Sequence, residues 1–284
     1  MPLGVENTEG MVDGRDQIEY AAEYVKTKEH IGQAEQRRFH HRLKATNPWP
    51  DSIQPTLRPA IMEYVTGMLG VADRLRDAMC LALNVDAHGI SSLFGKSDGG
   101  EQNFWSMKLV SYPPAPSVTC AKTTESFQGV GAHTDSNFLT LICQDAHSSG
   151  LQVQNVQGDW VDVPPTESNI MICNIGELSE VWSGGYFLAT PHRVVRHTSN
   201  THSRTSLPIF YNPKLDAVLE PINIKNLPWE RVQQNQLRRK HNKLINCVGQ
   251  NSFKSLARSH PNIFEKHHSD LTILKDGTIV KRQG

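Results

Sequence analysis

The sequence predicts a mainly β fold, an antiparallel barrel or sandwich with helices packed on its outside. Three observations carry that expectation. From about residue 105 to about residue 215, short apolar runs recur at close spacing, divided by clusters of Pro, Gly, Ser and Asn. The first hundred residues instead place apolar side chains three and four apart, the spacing of a helix face. A chain of 284 residues, 38% of them hydrophobic, can bury one sizeable core, so residues 1–284 are expected to form a single domain. Within it, 1–100 reads as a mostly helical N-terminal region, 101–215 as the β core that carries the site, and 216–284 as C-terminal helices and tail.

Taken in order, Asp16 to Lys26 reads as a weak helix with Asp16 as its cap, and Asn47-Pro48-Trp49-Pro50 as a loop. Ile61, Val65, Met68, Ala72, Leu75, Met79 and Leu83 form the apolar stripe of a helix over residues 56 to 85. After Gly99-Gly100 the period changes to two. The strands expected there are Phe104 to Tyr112, Phe138 to Cys143, Gly150 to Asn155, Trp160 to Val163, Ile170 to Asn174, His192 to His197 and Thr205 to Tyr211. From Trp229 the pattern returns to helix, with Val232, Leu237 and Leu244 as apolar positions. The chain ends in LTILKDGTIV, a hairpin with Asp276-Gly277 at its turn.

Composition excludes several partners. Lys+Arg (29) and Asp+Glu (29) cancel, so no net field favours nucleic acid or an anionic membrane. The one basic run, Arg238-Arg239-Lys240-His241, reads as a solvated helix face. No apolar stretch reaches the roughly 18 to 20 residues of a membrane span. The N-terminal MPLGVENTEGMVDGRD lacks the basic start and apolar centre of a secretion signal. Cys80, Cys120, Cys143, Cys173 and Cys247 are odd in number and show no Cys-x-x-Cys spacing; Cys143 and Cys173, in apolar runs, read as buried thiols. A reducing, cytoplasmic setting without structural zinc follows.

The chemistry concentrates in GAHTDSNFLTL, Gly131 to Leu141. On extended chain, His133 and Asp135 point to one face and Thr134 to the other; on a helix they would splay by about 200°. A third metal ligand is expected from another strand, and His192, after Pro191 and before a β-branched run, supplies it. His147, His197 and His202 are rival third ligands. Two imidazoles and a carboxylate leave half of an octahedron open, the pattern of non-haem Fe(II) oxygenases. Twelve residues on, Arg204 and Ser206 share a face by period two and together suit a carboxylate.

With these residues in place, the segment from about Trp105 to Pro213 resembles the Fe(II)/2-oxoglutarate-dependent dioxygenases of the isopenicillin N synthase-like branch. GAHTDSNFLTLICQD is similar to the family's first-ligand segment, GLQVQNVQGDWVDVPP to its following hairpin, NIMICNIGELSEVWSGGYFLATPHRVV to the stretch with the distal histidine, and Arg204-Thr205-Ser206 to its Arg-x-Ser. The resemblance implies a double-stranded β-helix, the cupin-like jelly roll. It implies Fe(II) on His133, Asp135 and His192, and 2-oxoglutarate held by Arg204, Ser206 and Tyr112. Val110 stands where plant members often have asparagine, which implies one polar contact fewer. The family's first sheet strand is absent or unrecognisable in this chain.

The activity implied is oxidation of an unactivated C–H bond of a small organic molecule by O2. Hydroxylation, desaturation and ring closure are variants, succinate and CO2 are released, and ascorbate serves as reductant in vitro. Secondary metabolism is the expected setting, and Phe127, Asn137, Gln152 and Phe210 are expected to line the substrate pocket. Alternatives are a same-fold Fe(II) oxidase that does not use 2-oxoglutarate, and a catalytically silent binding protein. The oligomeric state is not readable.

Overall fold

A computed structural model describes residues 2–8, 10–24, 38–95, 102–114, 126–146, 149–165, 167, 170–197, 202–222, 224 and 244–282. Its centre is two antiparallel sheets. The strands are β1 (Asn7–Thr8), β2 (Met11–Val12), β3 (Asp16–Ala21), β4 (Ser106–Tyr112), β5 (Ser126–His133), β6 (Leu139–Gln144), β7 (Leu151–Gln154), β8 (Trp160–Asp162), β9 (Ile172–Ile175), β10 (His192–His197) and β11 (Arg204–Tyr211), with β12 (Leu271–Ile273) and β13 (Ile279–Lys281) near the end. The major sheet runs β3-β4-β11-β6-β9 and the minor sheet β5-β10-β7-β8. This is the expected jelly roll.

Period two sorts the major sheet's side chains into two faces. On β11, Ile209 and Tyr211 face outward into the main core, while Arg204, Ser206, Pro208 and Phe210 face inward and line a cavity. On β4, Met107 packs outward, and Ser106, Lys108, Val110 and Tyr112 turn inward. The largest apolar core therefore lies outside the barrel, between the major sheet and the helix α1 (Leu57–Ala82). That helix buries Ile61, Val65, Met68, Ala72 and Cys80. Among the described residues, the apolar cluster inside the barrel is small: Val110, Tyr112, Val130, Leu151 and Val194. A β core left thin inside is what makes room for a site.

Arg76 interrupts the apolar stripe of α1 and is buried all the same. Its Nη1 donates to Tyr211 Oη (2.8 Å) and Asp73 Oδ1 (2.7 Å), its Nε donates to Asp77 Oδ1 (3.0 Å), and it stacks on Phe94. Two carboxylates and a phenol give a buried guanidinium the partners it requires. Near the C-terminus, the helix Val248–Ser259 packs on the 3-10 turn Phe39–Leu43 and is followed by the helix Pro261–His267.

Several expectations change. Asp16–Ala21 is not a helix: it pairs with β4 over its whole length, Asp16 opposite Ser111 and Ala21 opposite Ser106. Its two buried residues, Gln17 and Tyr20, are three apart, so this edge strand shows the spacing of a weak helix face rather than period two. An N-terminal strand thus does join the major sheet. Cys173 is exposed and Cys143 half-buried rather than buried; Cys173 lies on β9, the edge strand, which has a neighbour on one side only. The strand β5 was not expected as such; Gly129 and Gly131 dilute its apolar alternation.

Other expectations hold. The hairpin pairs Leu271 with Lys281 and Ile273 with Ile279, and Gly277, at φ +90°, takes the left-handed turn conformation that glycine favours. The expected helix through Val232 and Leu237, the basic run Arg238 to His241, Cys120 and His147 lie outside the described residues.

Candidate metal centre and cosubstrate pocket

His133 is the last residue of β5 and His192 the first of β10. The two strands are antiparallel neighbours that pair these residues directly, His192 opposite His133. Their rings therefore lie 4.3 Å apart at the mouth of the barrel. Asp135 sits just past the end of β5, where the chain turns into the loop before β6. That loop is fixed by the helix α3 (Glu177–Trp182), whose first amides donate to it: Glu177 N to Asp135 O (2.8 Å) and Leu178 N to Asn137 O (3.1 Å). Gly176 precedes α3 because a Cβ there would lie 2.0 Å from the Asn137 carbonyl oxygen. Thr134 points the other way and donates to Glu177 Oε1 (2.7 Å), so the expected opposition of Thr134 to its neighbours is present.

The side-chain donors of His133, Asp135 and His192 lie within 4.8 Å of one another. Each imidazole is oriented through its far nitrogen. The Nδ1–H of His133 donates to Gly131 O (2.8 Å) and that of His192 to Thr190 O (3.1 Å). A carbonyl can only accept, so each Nε2 keeps its lone pair toward the cavity. Asp135 Oδ2 is held by Thr140 Oγ1 (2.6 Å) and Asn174 Nδ2 (2.9 Å). Burial works against ionisation of Asp135, but the two imidazoles and these hydrogen bonds outweigh it and lower its pKa. Desolvation, followed by the charge of His192, pushes His133 down to about 4, against the pull of Asp135. The state favoured at neutral pH is a carboxylate with a neutral His133 imidazole, the form that binds a metal.

A second cluster shows what a mere hydrogen-bonded group looks like. His40 and His41 Nε2 approach Asp216 Oδ1 at 2.8 and 2.7 Å, and Arg38 (3.1 Å) and Lys44 (3.4 Å) reach the same carboxylate. Those imidazoles bond to the aspartate itself, and two cations neutralise it. At the barrel mouth each Nε2 is 3.7 Å from the nearer Asp135 oxygen, beyond hydrogen-bond reach, and among the described residues Asp135 is in ion-pairing range only of the two imidazoles. That spacing leaves one small ion room to bridge all three, and two nitrogens with one oxygen suit Fe(II).

Arg204 and Ser206 enter the same cavity from the start of β11. Arg204 is 5% exposed and Ser206 4%. Arg204 Nη2 donates to Gln144 Oε1 (2.9 Å) and its Nη1 reaches Ser206 Oγ (3.4 Å), while its Nε is buried without a partner. Among the described residues no carboxylate pairs with it. A buried guanidinium with neutral partners and an unused N–H is a receptor for an anion. Tyr112, opposite Arg204 in the β4–β11 register, places its ring 4.8 Å from the guanidinium carbon. Val110, opposite Ser206, adds an apolar wall.

The cavity holding all of these measures about 570 Å³. Asn137 and Phe210 line it as expected, but Phe127 and Gln152 do not: Gln152 takes Arg193 Nε (2.7 Å) and reaches Asp162 (2.9 Å) on the other face of β7. Of the rival ligands, His202 is exposed, and His147 and the His197 side chain lie outside the described residues. Sequence reasoning missed Thr140, Asn174 and Gln144. Thr140 and Asn174 face each other across β6 and β9, and their one signal was a polar residue inside an apolar strand.

Comparison with known proteins agrees with this geometry. The chain is 33% identical over 181 residues to a homoarginine-6-hydroxylase of Glycine max, a match covering 64% of this chain and 52% of that protein. It is 35% identical over 164 residues to a 1-aminocyclopropane-1-carboxylate oxidase of Doritaenopsis sp., covering 58% and 47%. The chain thus spans about half the length of the curated relatives it matches. Its fold is similar to that of a full-length Neurospora crassa protein crystallised in complex with alpha-KG, with a TM-score of 0.59 at 22% identity over 87% of this chain and 66% of that one. Residues 106–213, which carry the histidines, the aspartate and Arg204, match the model of the 2OG-Fe(II) oxygenase superfamily.

Proposed function

We propose that this protein is an Fe(II)- and 2-oxoglutarate-dependent dioxygenase that oxidises an unactivated C–H bond of a small organic metabolite. The observation that carries the proposal is the conjunction within one cavity of the His133/Asp135/His192 donors and an Arg204 guanidinium that has no carboxylate partner among the described residues. Fe(II) bound with 2-oxoglutarate would supply O2 activation, with the cosubstrate leaving as succinate and CO2.

The chain's own residues do the rest. His133 and His192 present Nε2, and Asp135 supplies the negative charge, aimed by Thr140 and Asn174. Arg204 and Ser206 hold the distal carboxylate of the cosubstrate, with the Tyr112 ring packed against the guanidinium to fix its plane. Val110, Val130, Leu151 and Val194 keep water from the reacting face. The remainder of the cavity, toward Ser106, Lys108 and Phe210, takes the substrate.

Support for a reducing, cytoplasmic setting comes from the cysteines, since the four described are all free thiols. No helix among the described residues is long and apolar enough to cross a membrane. Secondary metabolism is the setting that fits a small, mixed polar and apolar cavity.

A same-fold oxidase that binds its own substrate's carboxylate at Arg204 is the second reading, and the relative named as an oxidase favours it. Succinate release, measured with Fe(II), ascorbate, 2-oxoglutarate and O2, separates the two. The dioxygenase reading expects 2-oxoglutarate turnover in the wild type and its loss in His133→Ala. O2 uptake independent of 2-oxoglutarate supports the oxidase, and undiminished turnover in His133→Ala refutes both.

A further inference from the structure

Arg15 lies between β2 and β3, where the N-terminal segment crosses from the edge of the minor sheet to the edge of the major one. Asp13 anchors that crossing. It is 1% exposed, takes Gln128 Nε2 (2.9 Å) and Thr8 Oγ1 (2.9 Å), and reaches the amide of Gly131 on β5 (3.3 Å). The segment is therefore fastened to the strand that ends in His133, and it brings Arg15 to the wall of the metal cavity, beside the Tyr112 hydroxyl.

The use of its donors sets Arg15 apart. Arg76, Arg193 and Arg196 spend their Nε on a protein acceptor, respectively Asp77, Gln152 and the Pro113 carbonyl. Among the described residues, two arginines instead keep a buried Nε without a partner. They are Arg204 and Arg15, and both line the cavity. Arg15 directs Nη2 at Glu6 (2.6 Å) and Asp13 (3.3 Å), and its guanidinium also interacts with the Tyr112 hydroxyl. Those contacts hold the guanidinium in place and leave the Nε–H unused.

The geometry points to Arg15 as a second anion anchor, one that holds a carboxylate of the oxidised substrate in the same cavity as the cosubstrate anchor Arg204, with Tyr112 between the two. This rests on the oxygenase reading above. The nearby charges set how the anchor works. Glu6 and Asp13 offset Arg15, and Lys108 in the same wall sits 3.9 Å from Glu19. With no net positive field, selection falls to a directed N–H···O⁻ bond, a contact of about 1.5–3 kcal/mol, or about ten- to a hundredfold in affinity. The substrate class is a small organic acid, such as an amino acid or an aryl carboxylic acid.

The test uses the full chain loaded with Mn(II) and 2-oxoglutarate. A panel of L-amino acids, aryl-acetic acids and cinnamic acids, each paired with its methyl ester, is titrated by calorimetry. The expected result is at least one acid bound ten times or more tighter than its ester. Arg15→Lys, which keeps the charge beside Glu6 and Asp13 but removes the fork, should reduce that preference to about twofold and leave 2-oxoglutarate affinity within about threefold. Arg15→Gln should do the same. The inference falls if no acid outbinds its ester, if the preference survives in Arg15→Lys, or if 2-oxoglutarate binding weakens equally. Failure of the wild type to bind Mn(II) and 2-oxoglutarate at all would sink the oxygenase reading, and this inference with it.

Discussion

Asp135 depends on neighbours that come from other strands. Its Oδ2 is held at 2.6 Å by Thr140 and at 2.9 Å by Asn174, and these bonds keep the carboxylate facing the two imidazoles. Removing one such orienting partner of a metal ligand typically costs ten- to a hundredfold in metal affinity. Asn174→Ala is therefore expected to weaken Mn(II) binding, read by electron paramagnetic resonance, by about tenfold with an unchanged circular dichroism spectrum; unchanged affinity would show that Thr140 alone suffices. Arg204 is the other decisive side chain. A charge-assisted bond to a buried guanidinium contributes about 1.5–3 kcal/mol, so Arg204→Gln should raise the KM for 2-oxoglutarate by about ten- to a hundredfold. A loss of twofold or less would place the anchor elsewhere.

At the scale of elements, two contacts fasten helices and termini around the barrel mouth. Lys254, from the helix Val248–Ser259, and Glu177, at the start of α3, approach to 3.5 Å with side chains only 2% and 3% exposed. Taking away the cation removes the counter-charge of a buried carboxylate that keeps its hydrogen bonds from Thr134 and Asn251. Lys254→Met should therefore cost about 3 kcal/mol in urea unfolding. A loss below about 1 kcal/mol would show that Glu177 is satisfied without it.

Glu6 binds Arg15 (2.6 Å) and His260 (2.6 Å), joining the N-terminal segment to the C-terminal helices. Burial opposes its ionisation, yet the His260 bond and the charges of Arg15 and Lys108 hold its pKa at about 2, below the ordinary 4.5. A carboxyl depressed on folding contributes stability that is complete above its unfolded pKa and is lost as pH falls toward the folded one. From pH 6 to pH 3 the wild type should lose about 2 kcal/mol more than Glu6→Gln in urea unfolding. Equal losses would mean that Glu6 is not depressed.

These elements also show what the sequence could reveal. Of the site strands, β4, β6, β10 and β11 were legible from their short apolar runs, whereas Gly129 and Gly131 hid β5. His133 and Asp135 were found only by sitting two apart on extended chain. Asp16–Ala21 was not legible either, since an edge strand buries only Gln17 and Tyr20, and that sparse pattern looks like a weak helix. Gln144, Thr140 and Asn174 were missed for another reason: a polar residue on a strand gives no sign of its partner until the register is known.

For the molecule as a whole, the arrangement of layers explains why a site is there. The main apolar core lies outside the barrel, under α1, so the major sheet is stabilised from its outer face. Its inner face is then free to carry Arg204, Ser206 and Tyr112, while paired ends of the minor sheet bring His133 and His192 together. The central claim is that one cavity holds a metal and, against it, 2-oxoglutarate. The most direct measurement is a calorimetric titration of 2-oxoglutarate into the protein with and without Mn(II), for the wild type and Asp135→Ala. Metal should tighten 2-oxoglutarate binding by about tenfold or more in the wild type and have little effect in Asp135→Ala. Equal binding with and without metal, or an undiminished metal effect in Asp135→Ala, would contradict the account.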